Sequence, residues 1–133
     1  MEIKDYKIFR MDEILDLYRS VGWVNYLQRA ELLPGAYRNS LCVLGAYDGD
    51  RLVGLLRAVG DGLTVVFIQD LLVLPDYQRH GIGTKLLKEV IKRYPDVYQM
   101  ELLTDDRAET RAFYRAAGFV HAGELGCAAY LKL

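Results

Sequence analysis

The chain predicts an α+β fold, a single layered domain built on a mixed sheet, and three observations carry that prediction. Ile82, Leu86, Leu87, Val90, Ile91 and Tyr94 recur at helical spacing, with Lys85, Lys88, Glu89, Lys92 and Arg93 on the opposite face. Three apolar runs of strand length precede that helix, each separated from the next by a glycine turn. Taken along the chain, the elements run β-α-α-β-β-β-α-β-α-β-β.

Each element has a local cause. Lys7-Ile8-Phe9-Arg10 reads as a short opening strand. Asp12 can cap a helix from about Glu13 to Ser20, whose apolar face is Ile14, Leu15, Leu17 and Tyr18, and Gly22 breaks it. A second helix is expected from Val24 to about Leu33, ended by Pro34-Gly35. Leu41–Tyr47 and Leu52–Val59 form a hairpin across Asp48-Gly49-Asp50, and Gly60-Asp61-Gly62 turns into a long strand, Leu63–Leu74. The amphipathic helix runs from Ile82 to Tyr94, where Pro95-Asp96 stops it. Val97–Leu103 is a further strand, and Asp105 or Asp106 can cap a helix through Ala117 that Gly118 ends. Phe119–Ala122 and Ala128–Leu133 are expected to close the sheet as two strands.

Composition narrows the class. At 133 residues, with 52% hydrophobic and 26% charged, the chain can bury one core and is expected to form one domain over residues 1–133. A net charge of −1 argues against broad binding to nucleic acid or anionic membrane. Apolar runs fall short of the ~20 residues of a membrane span, and the first residues lack a signal-peptide core. Cys42 and Cys127 form no CxxC pair, so no metal is expected; both sit in apolar sequence and are read as buried reduced thiols. A cytoplasmic location follows as an expectation.

The most informative stretch is Gln78-Arg79-His80-Gly81-Ile82-Gly83-Thr84, directly after Leu71-Leu72-Val73-Leu74-Pro75. Without Cβ atoms, Gly81 and Gly83 let a ligand lie against the backbone. The first amides of the following helix have no partner within it and lie at its positive dipole end, which suits phosphate. Arg79 and His80 can add donors, although a loop histidine can equally face solvent.

These residues resemble the GNAT superfamily of acyl-CoA-dependent N-acyltransferases. Asp70–Leu87 is similar to the family's fourth strand with its (Arg/Gln)-x-x-Gly-x-(Gly/Ala) loop and helix, Gln78, Gly81 and Gly83 holding the diagnostic places. Ala112-Phe113-Tyr114-Arg115-Ala116-Ala117-Gly118-Phe119 is similar to its Ala-x-x-Tyr-x-x-x-Gly-Phe block, matching it from Tyr114 through Gly118-Phe119 with Ala112 one residue nearer the tyrosine. The likeness is closest from about residue 41 onward and weaker before it. It implies a mixed, mostly antiparallel central sheet flanked by about four helices. It also implies acetyl-CoA as co-substrate, its pantetheine beside Leu71, Leu72, Val73 and Leu74 and its pyrophosphate on the amides from Arg79 to Thr84, Ile82 included. Where the family often has asparagine three residues before the second block, this chain has Glu109, a poorer partner for the cofactor.

Acetyl transfer to an amine needs deprotonation of the amine, donors for the oxyanion and a proton for the departing thiolate. The resemblance implies Tyr114 as that final acid; the competing reading is a tyrosine packed on an apolar helix face. An amide at Leu72 or Val73 would polarise the carbonyl. Asp70, a lone carboxylate in an apolar strand, is either a general base or an aspartate bonded to backbone or a basic side chain; Glu101 is the second candidate base.

The acceptor is expected near Tyr18–Tyr37 and His121–Tyr130. Tyr18, Trp23, Tyr26 and Tyr37 could wall an aromatic slot, Trp23 and Tyr26 being the chosen substrate contacts, or Trp23 could anchor its helix on the sheet. Asp12, Asp16, Glu31 and Asp70 could attract a cationic amine or simply be solvated. A small-molecule amine is favoured, with a peptide amine as the other option; tRNA would want a more basic surface. Direct transfer in a ternary complex is expected. The rivals are a non-catalytic acyl-CoA sensor or docking module, and a nucleotide-binding regulator, against which the missing P-loop lysine counts: Thr84 follows Gly83. Homodimerisation is common in the fold, and the final apolar strand could support it.

Overall fold

In the computed structural model, which describes residues 1–133, five strands form one sheet in sequence order. They are β1 (Glu2–Asp5), β2 (Cys42–Asp48), β3 (Arg51–Gly60), β4 (Val65–Val73) and β5 (Gln99–Leu102). β1 to β4 pair antiparallel and β4 with β5 parallel, so the sheet is mixed and mostly antiparallel, as expected. The helices are α1 (Met11–Ser20), α2 (Val24–Gln28), α3 (Leu33–Arg38), α4 (Ile82–Arg93) and α5 (Ala108–Ala116). The chain divides into two compact units, Met1–Leu103 and Thr104–Leu133.

In the first unit every residue of β3 from Leu52 to Ala58 is buried. A strand buried on both faces loses the apolar–polar alternation of a half-buried one. α1 packs on β3 and β4, and α4 packs on β2, β3 and β4. The buried residues of α4 are Ile82, Leu86, Leu87 and Val90, which is the face its periodicity predicts. At Gly54 a Cβ would come within 3.2 Å of Ile82 and 3.4 Å of the Leu72 carbonyl, so α4 starts tight against the sheet.

Gly60 ends β3 at φ +131, and a Cβ there would lie 2.4 Å from the Val65 carbonyl oxygen. Strain and clash act together, so Gly60→Ala is expected to cost about 2 kcal/mol or more, read as a fall in melting temperature. The turn beyond it is held by Asp61, whose Oδ1 accepts from the amides of Leu63, Thr64 and Val65.

Several expectations for this unit need correcting. The opening strand is residues 2–5, not 7–10: the ladder with β2 ends at Asp5↔Leu44, and the Tyr6 amide then donates to the Val43 carbonyl. The chain next wraps the Tyr6 hydroxyl, which accepts from the Arg10 amide and donates to Glu13. Ile8 is left 75% exposed. Asp12 lies inside the first turn of α1 and does not cap it. The second helix breaks into α2, a 3-10 turn at Ala30–Leu32, and α3. Pro34 begins α3 instead of ending its predecessor, because a first-turn residue has no use for the missing N–H.

In the second unit, Arg107 precedes α5 with no side-chain cap, and neither Asp105 nor Asp106 caps the backbone. Asp105 accepts from Thr110 Oγ1 and Arg107 Nε, while Asp106 pairs with Arg111. Gly118 does end the helix, at φ +95, with the Phe119 amide donating to the Tyr114 carbonyl at 3.0 Å. The two closing strands do not form. A strand needs a ladder partner, and residues 119–133 have none: His121 Nδ1 accepts from the Gly123 amide, Ala122–Leu125 makes a 3-10 turn, and Gly126 at φ +73 ends it. The strand on which self-association was expected to rest is therefore absent from the chain's own sheet. Cys42 is buried, but Cys127 is exposed.

Candidate active site

β4 changes character halfway along. Its pairing with β5 runs only from Val65↔Gln99 to Ile68↔Leu102, so Gln69–Val73 has no strand on that side. On the other side it pairs with β3, but Arg57↔Asp70 is followed by Ala58↔Ile68, which leaves Gln69 as a bulge residue. The result is a free strand edge along 69–73, with every second residue's N–H and C=O turned away from β3. Leu71 and Val73 turn their backbone groups to this edge, whereas Leu72, opposite Leu55 and in phase with Leu74, turns its own toward β3, so the sequence expectation of backbone contacts at Leu72 needs correcting. Leu74 does not offer its backbone: its amide donates to the Val53 carbonyl and its carbonyl accepts from the Tyr77 amide, both at 2.8 Å.

The edge runs into the glycine loop. Gln78 Nε2 returns to the Val73 carbonyl at 3.0 Å, pinning the loop to the strand end. Arg79 adopts φ +65, unusual for a residue with a Cβ, and Gly81 adopts φ +81 before α4 begins. Nothing in the protein accepts from the amides between Arg79 and Thr84; the Lys85 amide, donating to Gly81, is the first that is satisfied. Gln78, Arg79, His80 and Gly81 are exposed, and Gly83 and Thr84 half-buried. A Cβ at Gly81 would meet nothing within 4 Å, so the surface there is open. This end carries positive potential, free donors and room, which is what an anion needs.

Asp70 is buried and fully engaged. Its Oδ2 accepts from Tyr18 Oη at 2.8 Å and Arg57 Nε at 2.7 Å, and its Oδ1 accepts from Tyr26 Oη at 2.7 Å. Arg57 reaches on to Tyr26 Oη and Ser40 Oγ, and its guanidinium lies 5.3 Å from the Tyr37 ring centroid. Tyr18 also bonds Tyr37 Oη at 2.6 Å. Burial, then the neighbouring Asp70 charge, pushes the Tyr18 and Tyr26 hydroxyls up. Burial alone would lower Arg57, but Asp70 overrides it and holds the guanidinium above its usual range. Of the two readings open for Asp70, the geometry matches the aspartate bonded to a basic side chain.

Arg57 is the residue that sequence reasoning missed. Its signal was available: a single cation in the apolar run Leu52–Val59 and a single anion in the next strand, joined by a short turn. Lone opposite charges on adjacent antiparallel strands pair when register places them side by side.

Tyr18 and Tyr37 belong to the core, and Tyr37 also lines a cavity with Tyr6, Ser40 and Tyr94. Trp23 and Tyr26 remain half-buried on the core's rim. Glu101 is exposed on β5, opposite Phe67 in the register. In the second unit Tyr114 is half-buried, edge-on to Phe113 and Phe119 with centroids 5.0 and 5.9 Å away. Its hydroxyl is pushed up to about 12, by burial first and then by the Asp105 charge. Glu109 is exposed in the first turn of α5.

Comparison with known proteins gives consistent matches. The model of the acetyltransferase (GNAT) family matches residues 8–119. A GNAT-family acetyltransferase, SP0256 of Streptococcus pneumoniae TIGR4, superposes with a TM-score of 0.87 at 39% identity, covering 99% of this chain and 96% of that one. An aminoglycoside 6'-N-acetyltransferase solved with coenzyme A matches at 25% identity and TM-score 0.62, over 71% of this chain and 56% of the other. Among sequence relatives, an uncharacterized N-acetyltransferase, ycf52, of Gracilaria tenuistipitata var. liui is 30% identical over 117 residues. That alignment covers 83% of this chain but 62% of the relative, so the chain spans under two thirds of that protein's length.

Proposed function

This chain belongs to the GNAT acetyltransferase family, and we propose on that footing that it moves an acetyl group from acetyl-CoA to a primary amine by direct attack in a ternary complex. The observation that carries the proposal is the free edge of β4 followed, across the short Pro75–Tyr77 turn, by the unsatisfied amides of the glycine loop. An extended pantetheine can pair with the outward groups of Leu71 and the Val73 amide, and a pyrophosphate fits the amides from Arg79 to Thr84. Because the family match runs through both units, we take residues 1–133 as one acyltransferase domain. No helix is long and apolar enough to cross a membrane. We place the protein in the cytoplasm, a reading supported by its two unpaired cysteines.

The reaction needs no covalent enzyme intermediate. The amine nitrogen, having lost a proton, bonds the thioester carbonyl carbon; the carbonyl electrons move to oxygen, where the outward β4 amide of Val73 donates. The oxyanion collapses and the carbon–sulfur bond breaks; on our reading the thiolate takes a proton from Tyr114, and the surplus proton on the new amide nitrogen leaves to water, from which Tyr114 is reprotonated. Both Asp70 oxygens are already engaged by Tyr18, Arg57 and Tyr26, so we assign it a positioning role toward Tyr26 and leave amine deprotonation to water or Glu101.

Acetyl-CoA is expected to raise the melting temperature saturably. A concentration of a hundred times Kd gives about 2.7 kcal/mol by linkage, whereas ATP should give little. Absence of any shift at millimolar acetyl-CoA would overturn the acetyltransferase reading.

A further inference from the structure

Residues 22–33 expose Val24 and Leu32 and part of Trp23 and Tyr26, beside the neutral Asn25 and Gln28 and the mutually paired Arg29 and Glu31. Trp23 stacks 5.9 Å from Tyr18, and Tyr26 stacks 4.5 Å from the same ring; Tyr18 is fully buried, while Trp23 and Tyr26 keep partly exposed faces. Val24 and Leu32 are each 52% exposed. The Tyr26 ring cannot swing, because its hydroxyl donates to Asp70 and accepts from Arg57 and Gln69, the last two at 3.2 Å. Gln69, the exposed bulge residue of β4, is thereby joined to the aromatic pair, and its carbonyl oxygen has no protein partner. The platform is thus tied to the start of the free β4 edge.

The carboxylates tell the other half. Of Asp12, Asp16, Glu31 and Asp70, three carry an arginine: Asp16 with Arg19, Glu31 with Arg29, Asp70 with Arg57. A polycationic acceptor needs several free carboxylates to replace its hydration, and this surface does not supply them. A single ammonium beside a flat or branched apolar body needs only aromatic faces and one neutral acceptor, which Trp23, Tyr26 and the Gln69 carbonyl provide.

We propose that Trp23 and Tyr26, with Gln69, form the acceptor subsite and select primary monoamines carrying an aromatic or branched apolar group, against polyamines and aminoglycoside-like polycations. This rests on the acetyl-transfer reading above. Trp23 sets the preference, and Tyr26 positions the body of the acceptor through its locked hydroxyl.

Trp23 is the only tryptophan, so its emission reports on the subsite without any need for turnover. Titrating the full chain with 2-phenylethylamine and with spermidine, by emission and then by thiol release with acetyl-CoA, tests the proposal. The aromatic amine should shift the emission saturably and show kcat/KM at least about tenfold above spermidine. Trp23→Ala should raise its KM about tenfold with kcat within about twofold, Trp23→Phe should restore most of the loss, and acetyl-CoA affinity should be unchanged in both. Preference for spermidine, or an unchanged KM in Trp23→Ala, would overturn the proposal while leaving acetyl transfer intact. An emission shift with the amine but no acetyl-CoA binding would support the subsite and remove the transfer reading instead.

Discussion

Asp70→Ala is expected to cost about 3–5 kcal/mol of folding stability, roughly 10–15 °C in melting temperature for a chain of this size. Few single substitutions reach that range, and the mechanism here is specific. The side chains of Asp70 and Arg57 are 1% and 6% exposed, and they meet at 2.7 Å. Removing the anion leaves a buried arginine with no counter-charge, and it strips the acceptor from the hydroxyls of Tyr18 and Tyr26. Those hydroxyls join α1 and α2 to β4, so the loss spreads beyond one pair. Asp70→Asn keeps an acceptor and should cost less, whereas Arg57→Met, which strands the carboxylate, should cost a comparable amount. Thermal melts of the three variants decide the matter. A loss below about 1 kcal/mol in Asp70→Ala would mean that water reaches the pair and that it is no buried anchor.

Tyr114→Phe is expected to lower kcat about 10²–10³-fold while acetyl-CoA binding and melting temperature stay near wild type. In the proposed reaction the hydroxyl would supply one proton to the thiolate, and in the variant the ring keeps its contacts with Phe113 and Phe119. The pH profile adds a check with a definite sign. A hydroxyl raised to about 12 holds its proton below that value, so it remains an acid through the physiological range. Wild-type kcat should therefore show no descending limb from this group up to the ordinary tyrosine value of 10. Retained turnover in Tyr114→Phe would move the acid role to water. If the wild-type chain binds acetyl-CoA but releases no thiol with any amine, the sensor reading takes over.

What could be read from residues alone was whatever depends on neighbours in the chain. The face of α4, the β2–β3 hairpin, the apolar run of β4 and the glycine loop all follow from periodicity and turn chemistry, which act within a few residues. The two motif blocks are local as well, which is why the family was recognisable. The division of residues 24–38 into two helices was harder, because Pro34 can end one helix or begin the next. Apolar patterning alone also could not say whether residues 119–133 would join a sheet, since a strand exists only where another edge accepts it.

The choice between the two readings of Asp70 waited on the fold for the same reason. Its partners come from positions 18, 26 and 57, and only folding brings them to two oxygen atoms. Helix propensity, turns and amphipathic faces are settled by sterics along the backbone, so residue order was enough to specify them. Register across strands, and with it which charge is neutralised and which edge stays open, depends on non-local pairing, so it emerged only when the chain was seen folded.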